Sequence, residues 1–338
     1  MKAIWNALCD RRATLSAAAG VAGLCFAAVA GAAATISGGD AGAASAPVKI
    51  HHTTDWYKAH PLTKTGIGAG TQASQGAGTL SYHNGPVMLT NNTYAIYWAP
   101  SGHAISSSYQ TLLNRYFADV GGTSFFNILT QYSQTPGPAF IQNQSVFVGS
   151  YVDTTPYPHT GAPSDPLQDS DIQDEVRRAI AANGWPVGQN NMYFVFTAQG
   201  IESCNGATSC TPGTPNPSYC AYHGNLSVNA GTVAYANMPY DETWAASCRG
   251  FSTSPNGDIA ADSEISTTSH EHFEAVTDVL VSTGPYGWYD RAGYEIGDKC
   301  GYQYGTVAAD GSNITLHGNK YIVQQEYSNA ARNCVLSR

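Results

Sequence analysis

The spacing of apolar and polar positions predicts alternating strands and helices from about Tyr82 onward. Short apolar segments predict strands at residues 87–89, 93–98, 145–152, 192–197, 219–223 and 232–238, and the last of these alternates with period two. Apolar residues at helical spacing predict helices at residues 106–120, 124–132, 169–183 and 262–281. Because strands and helices alternate early and loops dominate later, the pattern indicates a single α+β (mixed α/β) domain over residues 81–338.

The first 80 residues lack this pattern. Lys2, Arg11 and Arg12 precede an apolar run at residues 13–34 that consists mostly of Ala and Gly. This layout predicts an export signal over residues 1–46, without fixing its cleavage site, and a secreted protein that is extracellular or periplasmic. Because Ala and Gly are weakly apolar, cleavage is favoured over a stable membrane anchor. Residues 47–80 are rich in Gly, Ala and Ser and predict a flexible leader, in which the pair His51-His52 is interpreted as incidental.

The chain has few charged residues, and acidic residues outnumber basic ones. Charged residues make up 12%, and the formal net charge is -9. Because no basic stripe is present, the sequence argues against a protein that binds the phosphates of nucleic acid. Hydrophobic residues make up 43%, which is enough for a sizeable core.

The cysteines indicate a disulfide-stapled C-terminal part. Of 8 cysteines, Cys9 and Cys25 lie in the predicted export signal, so an even number remains for pairing in an exported chain. Short spacing favours Cys204–Cys210, and we expect Cys220–Cys248 and Cys300–Cys334 for the rest. A zinc–thiolate cluster is the alternative, and it is disfavoured because no Cys-x-x-Cys pair occurs.

The segment His270-Glu271-His272-Phe273-Glu274 carries the candidate chemistry. His270 and Glu274 stand one turn apart on one helix face, a spacing that lets two side chains hold one metal ion. Glu271 then points to the side of that ion, which is the arrangement of His-Glu-x-x-His metalloproteases with a glutamate in place of the second histidine. A carboxylate oxygen is a competent zinc ligand. The alternative is a solvated polar helix face that carries the motif by chance.

The charges around this segment favour the metal interpretation. Residues 250–290 contain no Lys or Arg, and their acidic residues are Asp258, Asp262, Glu264, Glu271, Glu274, Asp278 and Asp290. Like charges one turn apart destabilise a bare helix by roughly 0.2–0.5 kcal/mol per pair. A bound divalent cation would relieve this repulsion, and an arginine from elsewhere in the chain is the competing explanation.

A zinc site needs a third protein ligand and an open position for water. The candidates, in order of preference, are Glu295, Asp298 and Asp278. For Glu295 and Asp298 the competing interpretation is an acidic turn that only binds backbone amides. His272 falls on the apolar face of the helix and is predicted to be a packed structural residue.

The order of several motifs resembles the secreted phosphate-induced protein (EXORDIUM-like) family. The matching segments are Tyr82-His83-Asn84-Gly85-Pro86-Val87, Tyr97-Trp98, Tyr219-Cys220-Ala221-Tyr222-His223, Val233-Ala234-Tyr235-Ala236, Ser269-His270-Glu271, Ala275-Val276-Thr277-Asp278, Trp288-Tyr289, Glu295-Ile296-Gly297-Asp298 and Cys300-Gly301-Tyr302-Gln303-Tyr304-Gly305. The family's helix motif matches His270, Glu271 and Glu274, and its later glutamate matches Glu295. A histidine at position 272 departs from the family, which has an apolar or aromatic residue there.

The helix motif is also similar to that of zincin metallopeptidases. This resemblance implies a single zincin-like domain whose active-site helix lies under a mixed sheet with an antiparallel edge strand, and residues 232–238 are the candidate for that edge.

These features predict a secreted zinc-dependent metallopeptidase that hydrolyses peptide or protein substrates. His270, Glu274 and Glu295 would hold Zn²⁺, and Glu271 would be the general base. The main alternative is a non-catalytic extracellular protein with a structural cation site, for which Ca²⁺ would be favoured by the oxygen ligands. A carbohydrate-binding module, suggested by the abundant Tyr and Trp, ranks last.

Overall fold

A six-stranded mixed sheet forms the centre of the fold. The computed structural model describes residues 49–52, 78–207, 209–213, 218–229 and 231–338. The six strands are β1 (Lys49–His52), β2 (Asn91–Trp98), β3 (Ser145–Asp153), β4 (Asn191–Thr197), β5 (Tyr219–Val228) and β6 (Gly231–Met238). Their spatial order is β1-β5-β6-β4-β2-β3. Strands β3, β2, β4 and β6 run parallel, β5 is antiparallel to β6, and β1 is antiparallel to β5.

Helices and short strand pairs surround this sheet and confirm the predicted mixed α/β class. The helices are α1 (Ser107–Val120), α2 (Asp169–Asn183), α3 (Ala245–Cys248) and α4 (Ile259–Thr277), with 3₁₀ turns at Phe126–Gln131, Asp241–Trp244 and Asp298–Cys300. The paired short strands are Ser81–Tyr82 with Trp288–Tyr289, Ser133–Gln134 with Ala139–Phe140, Ile314–Leu316 with Asn319–Tyr321, Glu326–Ser328 with Asn333–Val335, and the group Leu167–Gln168, Ser203–Asn205 and Ser209–Cys210. All described residues belong to one compact unit, residues 44–338.

Helices cover both faces of the sheet. Alternate residues of a strand point to opposite faces. Accordingly, Phe194 of β4 packs against Phe117 of α1 and His272 of α4, whereas its neighbour Tyr193 packs against Trp185, which follows α2. Every residue of β4 is buried, as expected for a parallel strand between two helical layers.

Helix α4 is buried from Ala261 to its C-terminal end, which the sequence did not indicate. The apolar stripe predicts one buried face, yet all residues from Ala261 to Thr277 are buried. The helix also ends four residues earlier than predicted, because the backbone turns at Asp278, whose carboxylate accepts a hydrogen bond from the Gly287 amide at 2.7 Å. His272 is a packed residue, as predicted, and its Nε2 lies 2.6 Å from Oδ1 of Asn91.

The edge of the sheet differs from the expectation. Residues 232–238 are not an edge strand, because β6 lies between β5 and β4. The predicted strand at residues 219–223 continues to Val228 and turns back through a tight hairpin, in which Asn229 takes a φ of 51°. Strand β5 therefore separates β6 from the edge, and β1 pairs with the outer side of β5.

Strand β1 lies within the range predicted as a leader. Among the described residues of that range, 49–52 join the central sheet, and no apolar alternation marks them, because their position is set by pairing with β5. The predicted export signal at residues 1–46 and the leader residues 53–77 lie outside the described residues.

Three disulfides form with the predicted pairing, Cys204–Cys210, Cys220–Cys248 and Cys300–Cys334. Such bonds are typical of proteins from oxidising compartments. Among the described helices, none is long and apolar enough to cross a membrane.

We expect the Cys300–Cys334 bond to stabilise the fold more than the Cys204–Cys210 bond does. The two bonds close loops with sequence separations of 34 and 6. Because a disulfide restricts the unfolded chain more when its loop is longer, replacing both cysteines by serine should lower the free energy of unfolding by about 3–4 kcal/mol for the long loop and about 2 kcal/mol for the short one. Urea unfolding measures both values, and equal losses would contradict the expectation.

Candidate metal centre

Helix α4 presents His270, Glu271 and Glu274 to the interior of the protein. All three side chains have no exposed surface. Three other elements close the space above them: β5, which carries His223, the loop that carries Glu295 and Asp298, and β1, which carries His51. Since buried charged groups need a partner of opposite charge, a metal or a proton, the contacts within this cluster decide its chemistry.

His270, Glu274 and Asp298 form a group that could hold a metal ion. Nε2 of His270 lies 3.0 Å from Oε1 of Glu274 and 3.8 Å from Oδ1 of Asp298. Two ligand atoms of a tetrahedral zinc ion stand about 3.3 Å apart, given metal–ligand distances of about 2.0–2.2 Å. Among the described residues, Nε2 of His270 has no hydrogen-bond partner, so this buried nitrogen is suited to a cation.

A second group shares Glu274 with the first. It consists of His223, Glu271 and Glu274. Nδ1 of His223 lies 2.9 Å from Oε2 of Glu271 and 3.6 Å from Oε2 of Glu274. Glu274 therefore turns one oxygen toward His270 and the other toward His223. It lies between the candidate metal group and the hydrogen-bonded pair of His223 and Glu271.

Gln324 fixes the orientation of the His270 ring. Its amide nitrogen lies 2.9 Å from Nδ1 of His270 and donates to the carbonyl oxygen of Gly297 at 3.1 Å. Because the amide nitrogen can only donate, Nδ1 accepts and the neutral ring carries its proton on Nε2. A metal on Nε2 therefore requires the Gln324 amide to turn its oxygen toward Nδ1, which would then carry the proton.

The loop that carries Glu295 and Asp298 lies directly on the His270 ring. This approach requires glycine at position 297, because a Cβ there would lie 2.7 Å from Nδ1 of His270. The Asp298 amide donates to Oε1 of Glu274 at 2.8 Å, and the Glu295 amide donates to Oδ2 of Asp298 at 3.1 Å. The loop thus holds the Asp298 carboxylate close to the two helix residues.

Contacts at the far end of this loop fix its position. Lys299 is fully buried, forms an ion pair with Asp290 at 2.9 Å and lies over the ring of Tyr327, with Nζ 4.5 Å from the ring centroid. Burial lowers the pKa of Lys299, and Asp290 opposes this shift. The next residue, Cys300, is bonded to Cys334. A buried ion pair and a disulfide therefore anchor the segment that brings Asp298 to the helix.

The electrostatics of the cluster favour a cation. Burial raises the pKa of Glu271 well above its ordinary value, and the neighbouring carboxylates, Glu274 first among them, raise it further. Burial also raises the pKa of Glu326 well above its ordinary value, with an opposing effect from His270. Burial lowers the pKa of His270, whereas Asp298 opposes that shift. Without a cation the cluster therefore favours neutral side chains, and a divalent ion would restore the charged carboxylates.

The structure brings together most of the residues singled out in the sequence. His270, Glu271 and Glu274 are adjacent, as the helix spacing predicts. Asp298, the second candidate for the third ligand, groups with His270 and Glu274, whereas Oε1 of Glu295, the first candidate, lies 3.9 Å from Nε2 of His223. Asp278, the third candidate, instead binds the Gly287 amide.

Four residues at the site were missed in the sequence: His51, whose ring lies 4.0 Å from that of His270 although it was interpreted as incidental, and His223, Gln324 and Glu326. None belongs to a local motif, since each reaches the helix from a strand or loop distant in the chain. The only signal for His223 was its place in Tyr219-Cys220-Ala221-Tyr222-His223, one of the segments of the family resemblance.

Comparisons of the chain with family models, with curated proteins and with solved structures gave no match.

Removing single ligands should identify the metal group. His270→Ala and Glu274→Gln should each weaken Zn²⁺ binding by at least 100-fold, because each removes an atom of the group. Asp298→Asn should weaken binding more than Glu295→Gln does, since Asp298 faces His270 and Glu274. Competition with a chromogenic chelator measures these affinities.

His103→Ala is the control, because His103 contacts Tyr157 rather than the cluster. If Glu295→Gln weakens binding and Asp298→Asn does not, Glu295 is the third ligand. Unchanged binding in His270→Ala would contradict a metal on this helix.

Proposed function

We propose that the protein is an exported metal-dependent peptidase that hydrolyses peptide bonds with Glu271 as general base. The observation that carries this proposal is that Glu271 stands beside the group His270, Glu274 and Asp298 without belonging to it. A hydrolytic metal site needs three protein ligands, an open position and a separate proton acceptor.

The chemistry of the donors supports zinc over calcium. Each of the two candidate groups contains one imidazole nitrogen besides its carboxylates. Calcium takes six to eight oxygen ligands, whereas zinc binds nitrogen and oxygen in four-coordinate sites. A bound Zn²⁺ ion would supply a Lewis acid that polarises a carbonyl and lowers the pKa of water to about 7.

Glu271 is suited to carry a proton between water and the leaving amine. Burial and the neighbouring carboxylates raise its pKa above the ordinary value, which makes it a stronger proton acceptor than an exposed glutamate. Oε2 of Glu271 is held by Nδ1 of His223 at 2.9 Å, while its Oε1 has no hydrogen-bond partner among the described residues. The first oxygen is thereby oriented, and the second is open to accept a proton from the attacking water.

The outer side of strand β5, where β1 pairs, supports a peptide as substrate. His223 of β5 contacts Glu271, so the outer edge of β5 passes beside the catalytic group. An extended peptide can add to such an edge through backbone hydrogen bonds, which would align a scissile bond without requiring a particular side chain. This arrangement also agrees with the zincin-like helix that the sequence predicts.

A structural cation site is the second candidate function. The number of carboxylates around α4, including Glu295 and Glu326 beside the two groups, favours this alternative. In that case the metal would stabilise the loop at residues 295–298, and Glu271 would not need to act as a base.

Glu271→Gln should separate the two functions. The change removes the proton acceptor and leaves the proposed ligands intact, so we expect unaltered zinc content and casein hydrolysis reduced by about 10²–10⁴-fold. Elemental analysis and a hydrolysis assay, each with and without chelator, provide the two measurements.

Glu242→Gln is the matched control, because Glu242 pairs with Arg249 outside the cluster. A Glu271→Gln variant as active as the wild type would show that Glu271 is not the base. A wild-type protein that contains calcium alone and hydrolyses nothing would support the structural cation.

A further inference from the structure

Strand β1 occupies the position next to the candidate site at which an extended peptide would pair. It runs antiparallel to β5, with Lys49 opposite His223 and His51 opposite Ala221. His223 is the β5 residue that contacts Glu271. The chain therefore completes its own sheet at the edge that a peptide substrate would need.

His51 contacts the proposed base and a proposed ligand at the same time. Its side chain is only 2% exposed. The ring centroid lies 4.0 Å from that of His270 and 4.9 Å from that of Tyr302. Its backbone N–H donates a hydrogen bond to the Glu271 carboxylate. A substrate could reach neither His270 nor Glu271 from this side while His51 is in place.

The next residue of β1 is also anchored. Tyr302 Oη donates to the His52 carbonyl oxygen at 3.2 Å, and Nδ1 of His52 lies 3.0 Å from the Ser218 carbonyl oxygen. Ser218 directly precedes β5, whereas Tyr302 belongs to a different segment, so β1 is held by a side-chain contact as well as by its ladder with β5.

We infer that residues 49–52 are an internal inhibitor of the site: a strand of the chain itself that fills the place of an extended peptide substrate and covers Glu271 and His270. The inference rests on the proposed peptidase function and adds a condition for it, namely that β1 must leave the edge of β5 before a substrate binds. The pair His51-His52, interpreted from the sequence as incidental, then has a specific role.

His51→Pro in the full chain tests this inference. Proline removes the N–H that bonds Glu271 and replaces the imidazole ring, so β1 should detach from β5. A labelled peptide with the sequence of residues 47–54, Pro-Val-Lys-Ile-His-His-Thr-Thr, serves as the probe, and fluorescence anisotropy reports its binding. We expect the variant to bind the probe at least tenfold more tightly than the wild type and to hydrolyse casein at least tenfold faster.

Two further variants make the result decisive. His51→Ala removes the ring but keeps the N–H, so it should increase probe affinity and casein hydrolysis by a smaller factor. It also replaces the proline variant if that variant does not fold. His103→Ala, a histidine change outside the cluster, should match the wild type in both readouts.

The two readouts separate the inference from the proposed function. If the His51 variants bind the probe more tightly but no variant hydrolyses casein, β1 blocks the edge of β5 and the proposed peptidase function is contradicted. Hydrolysis by the wild type, with neither readout increased in the His51 variants, would overturn the inference and leave the peptidase standing.

Discussion

The burial of an acidic helix is the constraint on which the rest of the structure depends. Residues 261–277 of α4 have no face toward solvent, yet they include His270, Glu271 and Glu274. Like charges close together in a low-dielectric interior repel strongly, and their pKa values move toward the neutral form. The helix can therefore be stable with charged carboxylates only if a cation joins them. This requirement links the fold to the chemistry more directly than any single motif.

The surrounding elements serve to complete this polar interior. Gly297 lets a loop lie on the His270 ring, and the Asp298 amide of that loop satisfies one oxygen of Glu274. The Lys299–Asp290 pair and the Cys300–Cys334 bond hold the loop from its far end. These contacts involve a loop, a 3₁₀ turn and a short strand, so such anchors position the site together with helix α4 and strand β5.

Much of the fold and part of the site could be predicted from the sequence. Local patterns identified five of the six strands of the central sheet, the long helices, the helix motif and the packed His272, because these depend on residues close together in the chain. The three disulfides join cysteines that are neighbours in chain order. The strand predicted at residues 87–89 does not form. Features that depend on residues far apart in the chain were either not predicted or predicted wrongly. The complete burial of α4, the interior place of β6 and the strand at residues 49–52 all follow from tertiary packing. His223 was missed for the same reason, since nothing near it in the sequence shows that β5 passes beside Glu271.

The 3.0 Å approach of His270 Nε2 to Glu274 Oε1 distinguishes the two states of the cluster. With a metal, both atoms coordinate the same ion; without one, at least one of the two groups must carry a proton. Anomalous diffraction at the zinc absorption edge, from crystals of the zinc-loaded protein, tests this directly. The account predicts a single strong peak within about 2.0–2.2 Å of His270 Nε2 and Glu274 Oε1, with Asp298 Oδ1 as the third neighbour. A map without a peak there, with the His270 and Glu274 side chains in direct hydrogen-bond contact, would contradict it.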